Sequence, residues 1–274
     1  MNSEKYLFAE MTWPEIKQAV KEQRVAVIPV AVIEQHGHHL PVNTDLLLAS
    51  EVCLRAGAKI PGRAVVVPPV NHGYSPHQMD FPGVITIGAE TFIRYVTDVC
   101  NSLAHQGFTR ILIVNGHGSN VPLLQVAAKQ TMLEYPDVLC TSISYWDLQP
   151  VLEEAEQIRE SVNPGGMNHA CEFETSLYLA LRGELVQMDK AVRDLDKYEM
   201  GKYFWLDIVG RGEGRPTVTI PYWSTISETG VLGDPTGATL DKGQVLLQAA
   251  VEGLVEYINI FRKRKLGLRV NHHR

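Results

Sequence analysis

Four apolar runs, each followed by a stretch of helical period, constrain this chain more than any other feature. The runs are residues 24–33 (RVAVIPVAVI), 64–70 (AVVVPPV), 110–114 (RILIV) and 138–145 (VLCTSISY). None alternates apolar with polar residues, so each reads as a strand buried on both faces, as in a parallel sheet. Residues 11–23, 45–59, 89–106 and 121–135 carry helical periodicity between them. Thr12 and Pro14 mark the start of the first helix, and Gly107 stops the third. Strand and helix in alternation predict an α/β fold whose mainly parallel sheet is covered on both faces. Residues 150–165 and 183–237 are less regular and are read as elaborations of one domain spanning 1–274.

Composition excludes several classes. A 274-residue chain with 45% hydrophobic and 20% charged residues buries a large core without staples. A formal net charge of -6 argues against nucleic acid as a partner. The basic cluster at Arg262, Lys263, Arg264 and Lys265 reads as a solvated helix end. No stretch is long and apolar enough to cross a membrane, and residues 1–16 lack the apolar core of a secretory leader. Cys53, Cys100, Cys140 and Cys171 form no C-x-x-C pair. A reduced, cytoplasmic protein with free thiols is expected.

Three clusters carry chemistry. The first, Glu34-Gln35-His36-Gly37-His38-His39, follows the first strand, with Asp45 at the start of the next helix. Ligands of open α/β sheets sit at the carboxyl ends of strands. Carboxylate with imidazole is a ligand set for zinc, manganese or iron. Any of these residues alone reads as a loop histidine, an exposed acid or a helix cap; together they point to metal. His38 and His39 are candidates only for supporting a ligand from behind.

The second cluster, Asn115-Gly116-His117-Gly118-Ser119-Asn120, directly follows the third strand, at the same edge of the sheet. Its glycines let the backbone approach a ligand closely. A phosphate-cradling turn is the alternative, but neither a G-x-G-x-x-G pattern nor a Walker lysine is present. Gly210-Arg211-Gly212-Glu213-Gly214 is also glycine-spaced, yet it precedes a strand-like segment, TVTIPYW, rather than a helix.

The third cluster runs from His169 to Ser176 and opens a helix. A spacing of three puts His169 and Glu172 on one helix face as a pair for metal or substrate. Glu174 falls about 200° round from Glu172 and is expected in a structural contact. Acidic residues also suit a helix N-terminus without any further role. No G-x-S-x-G elbow occurs.

Glu34-Gln35-His36-Gly37, Asp45, Phe81-Pro82-Gly83, Asn115 to Asn120, Glu172 to Ser176 and Thr229 to Pro235 together resemble the creatininase (creatinine amidohydrolase) family, over roughly residues 8–258. The resemblance implies a three-layer αβα sandwich and two divalent metals, zinc, manganese or iron. It implies hydrolysis of amide-type bonds by a metal-activated water. Carried over, Glu34 and His117 hold one metal, His36 the other, and Asp45 bridges them. It further implies a small-molecule substrate and a homo-oligomer, often a hexamer.

The chain departs from the creatinine-hydrolysing members at two places. They carry Tyr then Glu after the histidine of N-G-H, the Glu being a ligand; here Gly118 and Ser119 stand there. They carry a proton-shuttling Glu before the histidine matching His169; here it is Asn168. Glu172 is the carboxylate expected to replace the missing ligand, with His169 binding substrate or moving protons. Trp146, in a Tyr-Trp-Asp triplet at a strand end, is expected to wall the pocket, with Gly118 and Ser119 beside the substrate and His77 reaching in from its own or a neighbouring subunit. The expected substrate is a small polar, cyclic amide or formamide. Cleavage of a C–C bond in a cyclic polyol ketone, and metal binding without turnover, are the alternatives.

Overall fold

The computed structural model describes residues 5–210 and 217–273. Strands β1 (Val25–Val30), β2 (Ala64–Val66), β3 (Arg110–Asn115) and β4 (Leu139–Ser144) form a parallel sheet in the order β2-β1-β3-β4. Helix α1 (Trp13–Lys21) precedes β1, and α2 (Thr44–Lys59), α3 (Ala89–His105) and α4 (Val121–Glu134) join the strands. After β4 come α5 (Gln149–Ile158), β5 (Met167–His169), α6 (Glu172–Arg182), β6 (Leu232–Gly233) and α7 (Leu240–Lys263). Strands β5 and β6 pair antiparallel, apart from the main sheet.

The period-2 pleat divides the apolar runs between two cores. Val25 and Val27 of β1, with Leu112 and Val114 of β3, face a core completed by α2, α5, α6 and α7. Ala26, Ile28, Ile111 and Ile113 point the other way, into a core built with α1, α3 and α4. The molecule is thus a three-layer αβα sandwich.

The β1–β2 seam opens early. Val67 and Val70 donate to Val27 and Pro29, but Pro68 and Pro69 between them have no N–H to give. β2 therefore ends at Val66, and its continuation loops out toward the site. The segment 217–223, expected as a strand, joins no ladder; only a short 3-10 turn, Trp223–Thr225, follows it. Arg211 to Gly214 lie outside the described residues, while Gly210 sits against Asp207.

Candidate metal centre

The loops after β1 and β3 converge at one edge of the sheet, and the first turns of α2 and α6 meet them there. Asp45 lies in the first turn of α2, where the helix dipole favours a carboxylate. Gly116 makes that approach possible: a Cβ there would stand 2.8 Å from both the Ala49 Cβ and the Asp45 carbonyl oxygen.

Asp45 is shared by two groups of side chains. Its Oδ2 lies 3.1 Å from His117 Nδ1, which is 3.2 Å from Glu34 Oε1. Its Oδ1 lies 3.1 Å from His36 Nε2, which is 3.7 Å from Glu174 Oε1. In each of the trios Glu34–Asp45–His117 and His36–Asp45–Glu174, donor atoms lie within 4.8 Å of one another, and all five residues are buried.

Charge makes the arrangement demanding. Burial pushes the Glu34 carboxyl up, yet His117, His169 and His36 outweigh it and hold it well below the usual range. Burial pushes His36 down, but Asp45 and Glu174 carry it well above the ordinary imidazole value. His117, depressed by burial, is raised to about 10 by Glu34 and Asp45. Three buried carboxylates thus demand compensating positive charge, which protons supply when no cation does.

The imidazoles are also set for ligation. The Nδ1–H of His36 donates to the Glu34 carbonyl oxygen at 3.2 Å. Its Nε2 stands among carboxylate oxygens without a hydrogen bond. That is the tautomer a metal-binding histidine adopts. Ser75 Oγ donates to Glu34 Oε2 at 2.5 Å and turns Oε1 toward His117. The donor set therefore fits one or two divalent metals.

Glu172 does not join this site. Its carboxylate accepts from the backbone N–H groups of Glu160 and Ser161 and from Lys242 Nζ, an ion pair between α6 and α7. Glu174, expected in a structural contact, occupies the position expected of Glu172. The expectation treated His169 and Glu172 as one helix face, but His169 belongs to β5 and the chain turns at Ala170, φ 52°, before α6 begins. The two glutamates do face opposite ways, as helical pitch requires.

His169 stands beside the cluster, its Nδ1 3.5 Å from Glu34 Oε1 and its ring 4.3 Å from that of His36. The nearest partner of its Nε2 is the Gln35 carbonyl oxygen, at 2.8 Å. The Gln35 amide spends its own hydrogens on Gln78 Oε1 and the Gly230 carbonyl. His169 Nε2 is therefore the donor, and Nδ1 carries the lone pair. Burial, with His36 nearby, lowers its pKa and keeps it neutral.

Gly230 adopts φ 84°, and a Cβ there would collide with the Gln35 side chain. Asp194 gathers the turn before it, accepting from the Thr229 hydroxyl and the Glu228 and Thr229 N–H groups.

A narrow cleft opens onto Glu34, Asp45, His117 and Glu174. Gly118, Ser119, Trp146 and Asn168 line it, with Trp223 opposite. His77 of the same chain lines it too, stacked 6.1 Å from the His117 ring and edge-on to Trp223. Burial drops the His77 pKa to about 4. A wider, apolar vestibule, lined by Tyr74, Pro76, Val121 and Tyr222, shares His77, Gly118 and Ser119 with it. Sequence reasoning missed Gln35, Ser75, Gln78 and Trp223, whose residue types carry no signal apart from the fold. His39 bonds the Thr175 hydroxyl through Nε2, behind the ligands.

The creatinine amidohydrolase family model, Creatininase, matches residues 9–258. The chain belongs to the creatininase family. It is 28% identical over 277 residues to a creatinine amidohydrolase of Pseudomonas putida, covering 93% of this chain and 97% of that protein. It is 30% identical over 248 residues to a mycofactocin precursor peptide peptidase of Mycolicibacterium smegmatis, covering 89% and 88%. Among solved structures, a manganese form of creatininase superposes with a TM-score of 0.79 at 27% identity, covering 95% of this chain and all of that one. These creatininase-family relatives are hydrolases that differ in substrate, one acting on a peptide. No described helix is long and apolar enough to cross a membrane.

Proposed function

We propose that this protein is a metal-dependent hydrolase of a small polar, cyclic amide or formamide. The observation that carries the reading is Asp45, which offers one carboxylate oxygen to each of two trios of donors. Glu34, Asp45 and His117 would hold one divalent metal; His36, Asp45 and Glu174 would hold the other. When bound, such a pair supplies an activated water and Lewis-acid polarisation of the scissile carbonyl.

The chain's own groups do the rest. His169, neutral and with its Nδ1 lone pair toward the cluster, accepts a proton there and returns it to the leaving nitrogen. Ser75 and the His36 tautomer keep Glu34 and His36 aimed inward. Trp146, Trp223 and His77 close the sides against water and present flat surfaces to a ring. A cleft this narrow suits a small molecule. This reading keeps a non-peptide C–N bond as the target, acted on in the cytoplasm by a homo-oligomer of single-domain subunits. The exposed apolar residues Val42, Met79 and Ile85 are available to its contacts.

Elemental analysis of untagged protein purified without chelator tests the core of the proposal. Two equivalents of zinc, manganese or iron per chain, with amide turnover lost on chelation and regained on metal addition, is the expected result. Protein that carries no metal and takes none up would overturn it. Light scattering measures the assembly.

A further inference from the structure

The cleft and the vestibule beside it share His77, Gly118 and Ser119 but differ in chemistry. The cleft holds the buried carboxylates and imidazoles. Tyr74, Pro76, Val121, Val218, Ile220 and Tyr222 give the vestibule apolar walls. No aspartate, glutamate, lysine or arginine is among its described lining residues. Val218 is 72% exposed and Tyr222 60%, so apolar surface stands open at the mouth of a polar site. Exposed apolar surface of this kind marks a place where a ligand displaces water.

Gly118 stands where the two spaces meet. Two residues earlier, Gly116 is forced by packing, since a Cβ there would strike Ala49 and the Asp45 carbonyl. Nothing comparable constrains Gly118. Its φ is not left-handed, and a Cβ there would meet no atom within 4 Å. A larger residue would fit the backbone and reduce the freedom of the unfolded chain. What glycine provides at 118 is open space between cleft and vestibule.

We propose that the vestibule is a substrate subsite, and that the substrate carries an uncharged apolar arm that crosses Gly118 and lies against Val121, Ile220 and Tyr222. The inference rests on the hydrolase reading for what happens at the metal centre. The scissile amide stays in the polar cleft as its small head group. The arm meets no charged wall and removes apolar surface from water. Each methylene so buried raises affinity by about fourfold. The arm touches none of the reacting atoms and leaves unchanged on one of the two products. Gly118 is thus a specificity-determining position: its missing side chain admits substrates longer than the cleft.

Metal-chelating hydroxamates test the subsite by calorimetry on the metal-loaded protein. Acetohydroxamate is compared with 4-phenylbutanohydroxamate, which carries its arm on the acyl side. N-hydroxy-N-methylformamide is compared with N-hydroxy-N-(3-phenylpropyl)formamide, which carries it on nitrogen. At least one armed compound should bind about tenfold or more tighter than its parent. An arm ending in an ammonium, as in 6-aminohexanohydroxamate, should bring no gain. Gly118→Leu should bring the ratio of armed to bare compound near one, with metal content unchanged. Tyr222→Ala, at an exposed residue that lines only the vestibule, should lower it and carries the test if the leucine variant does not fold. Armed compounds no better than their parents, a ratio unmoved in the variants, or an ammonium arm as good as a phenyl one would overturn the proposal. So would a Tyr222→Ala protein that loses oligomer mass in light scattering yet keeps the ratio, which would assign the vestibule to contact with a second copy. Failure confined to the arms leaves the hydrolase reading standing. If no hydroxamate binds, armed or bare, the metal-centre reading falls and this inference with it.

Discussion

Two glutamates two residues apart divide the labour at the start of α6. Glu174 completes a trio with His36 and Asp45, whereas Glu172 ties α6 to Lys242. Glu174→Gln should therefore cost one metal equivalent and about two orders of magnitude in kcat/KM. Glu172→Gln should keep both metals and most activity but lower unfolding stability by about 1 kcal/mol, because Lys242 keeps Glu160 and the Gly237 carbonyl as partners. Metal analysis beside denaturant melts separates the two. His117 adds a pH signature. Its folded pKa of about 10 exceeds the ordinary imidazole value of 6.5. In metal-free protein its contribution is complete below pH 6.5 and is lost as pH rises through 10. The melting temperature of metal-free protein should fall between pH 7 and 10.5, and more steeply than in His117→Gln. Equal slopes would contradict this assignment of charge.

At the scale of elements, α2, α3, α4 and the four sheet strands were legible, because apolar runs and helical period are written in consecutive residues. The expected helix at 89–106 appears as Ala89–His105, and the expected strand at 110–114 as Arg110–Asn115. Glu34, His36, Asp45 and His117 were legible too, since each stands at a strand end or helix start. Glu174 was not. His169 through Ser176 reads as continuous helix, and alanine is a poor signal for a left-handed turn. The turn falls at Ala170 all the same, φ 52°, and swings His169 off the helix. Trp223 and Gln78 approach the site through tertiary packing of loops, which no local period encodes. Because Ala170 holds a conformation that glycine adopts without strain, Ala170→Gly should raise stability by up to about 1 kcal/mol with metal content unchanged. Thermal melts with elemental analysis measure both.

For the whole molecule, the decisive feature is the sheet order β2-β1-β3-β4, in which every neighbouring pair is parallel and the chain crosses over β1 between β2 and β3. The donors come from the β1 loop, α2, the β3 loop and α6, spread over residues 34 to 174. No single hairpin or helix pair brings together a complete trio. The docking of distant segments must precede ligation, and parallel sheets form slowly because their loops close late. Metal then acts after the folding barrier has been crossed. Added to refolding protein, zinc or manganese should leave the refolding rate constant unchanged while slowing unfolding by tenfold or more, read by stopped-flow fluorescence of the cleft tryptophans. Asp45 sharpens the consequence. Because one carboxylate serves both trios, a cation on one side fixes the rotamer that the other side needs. Metal uptake should therefore be cooperative, and half-loaded chains should be scarce at substoichiometric metal.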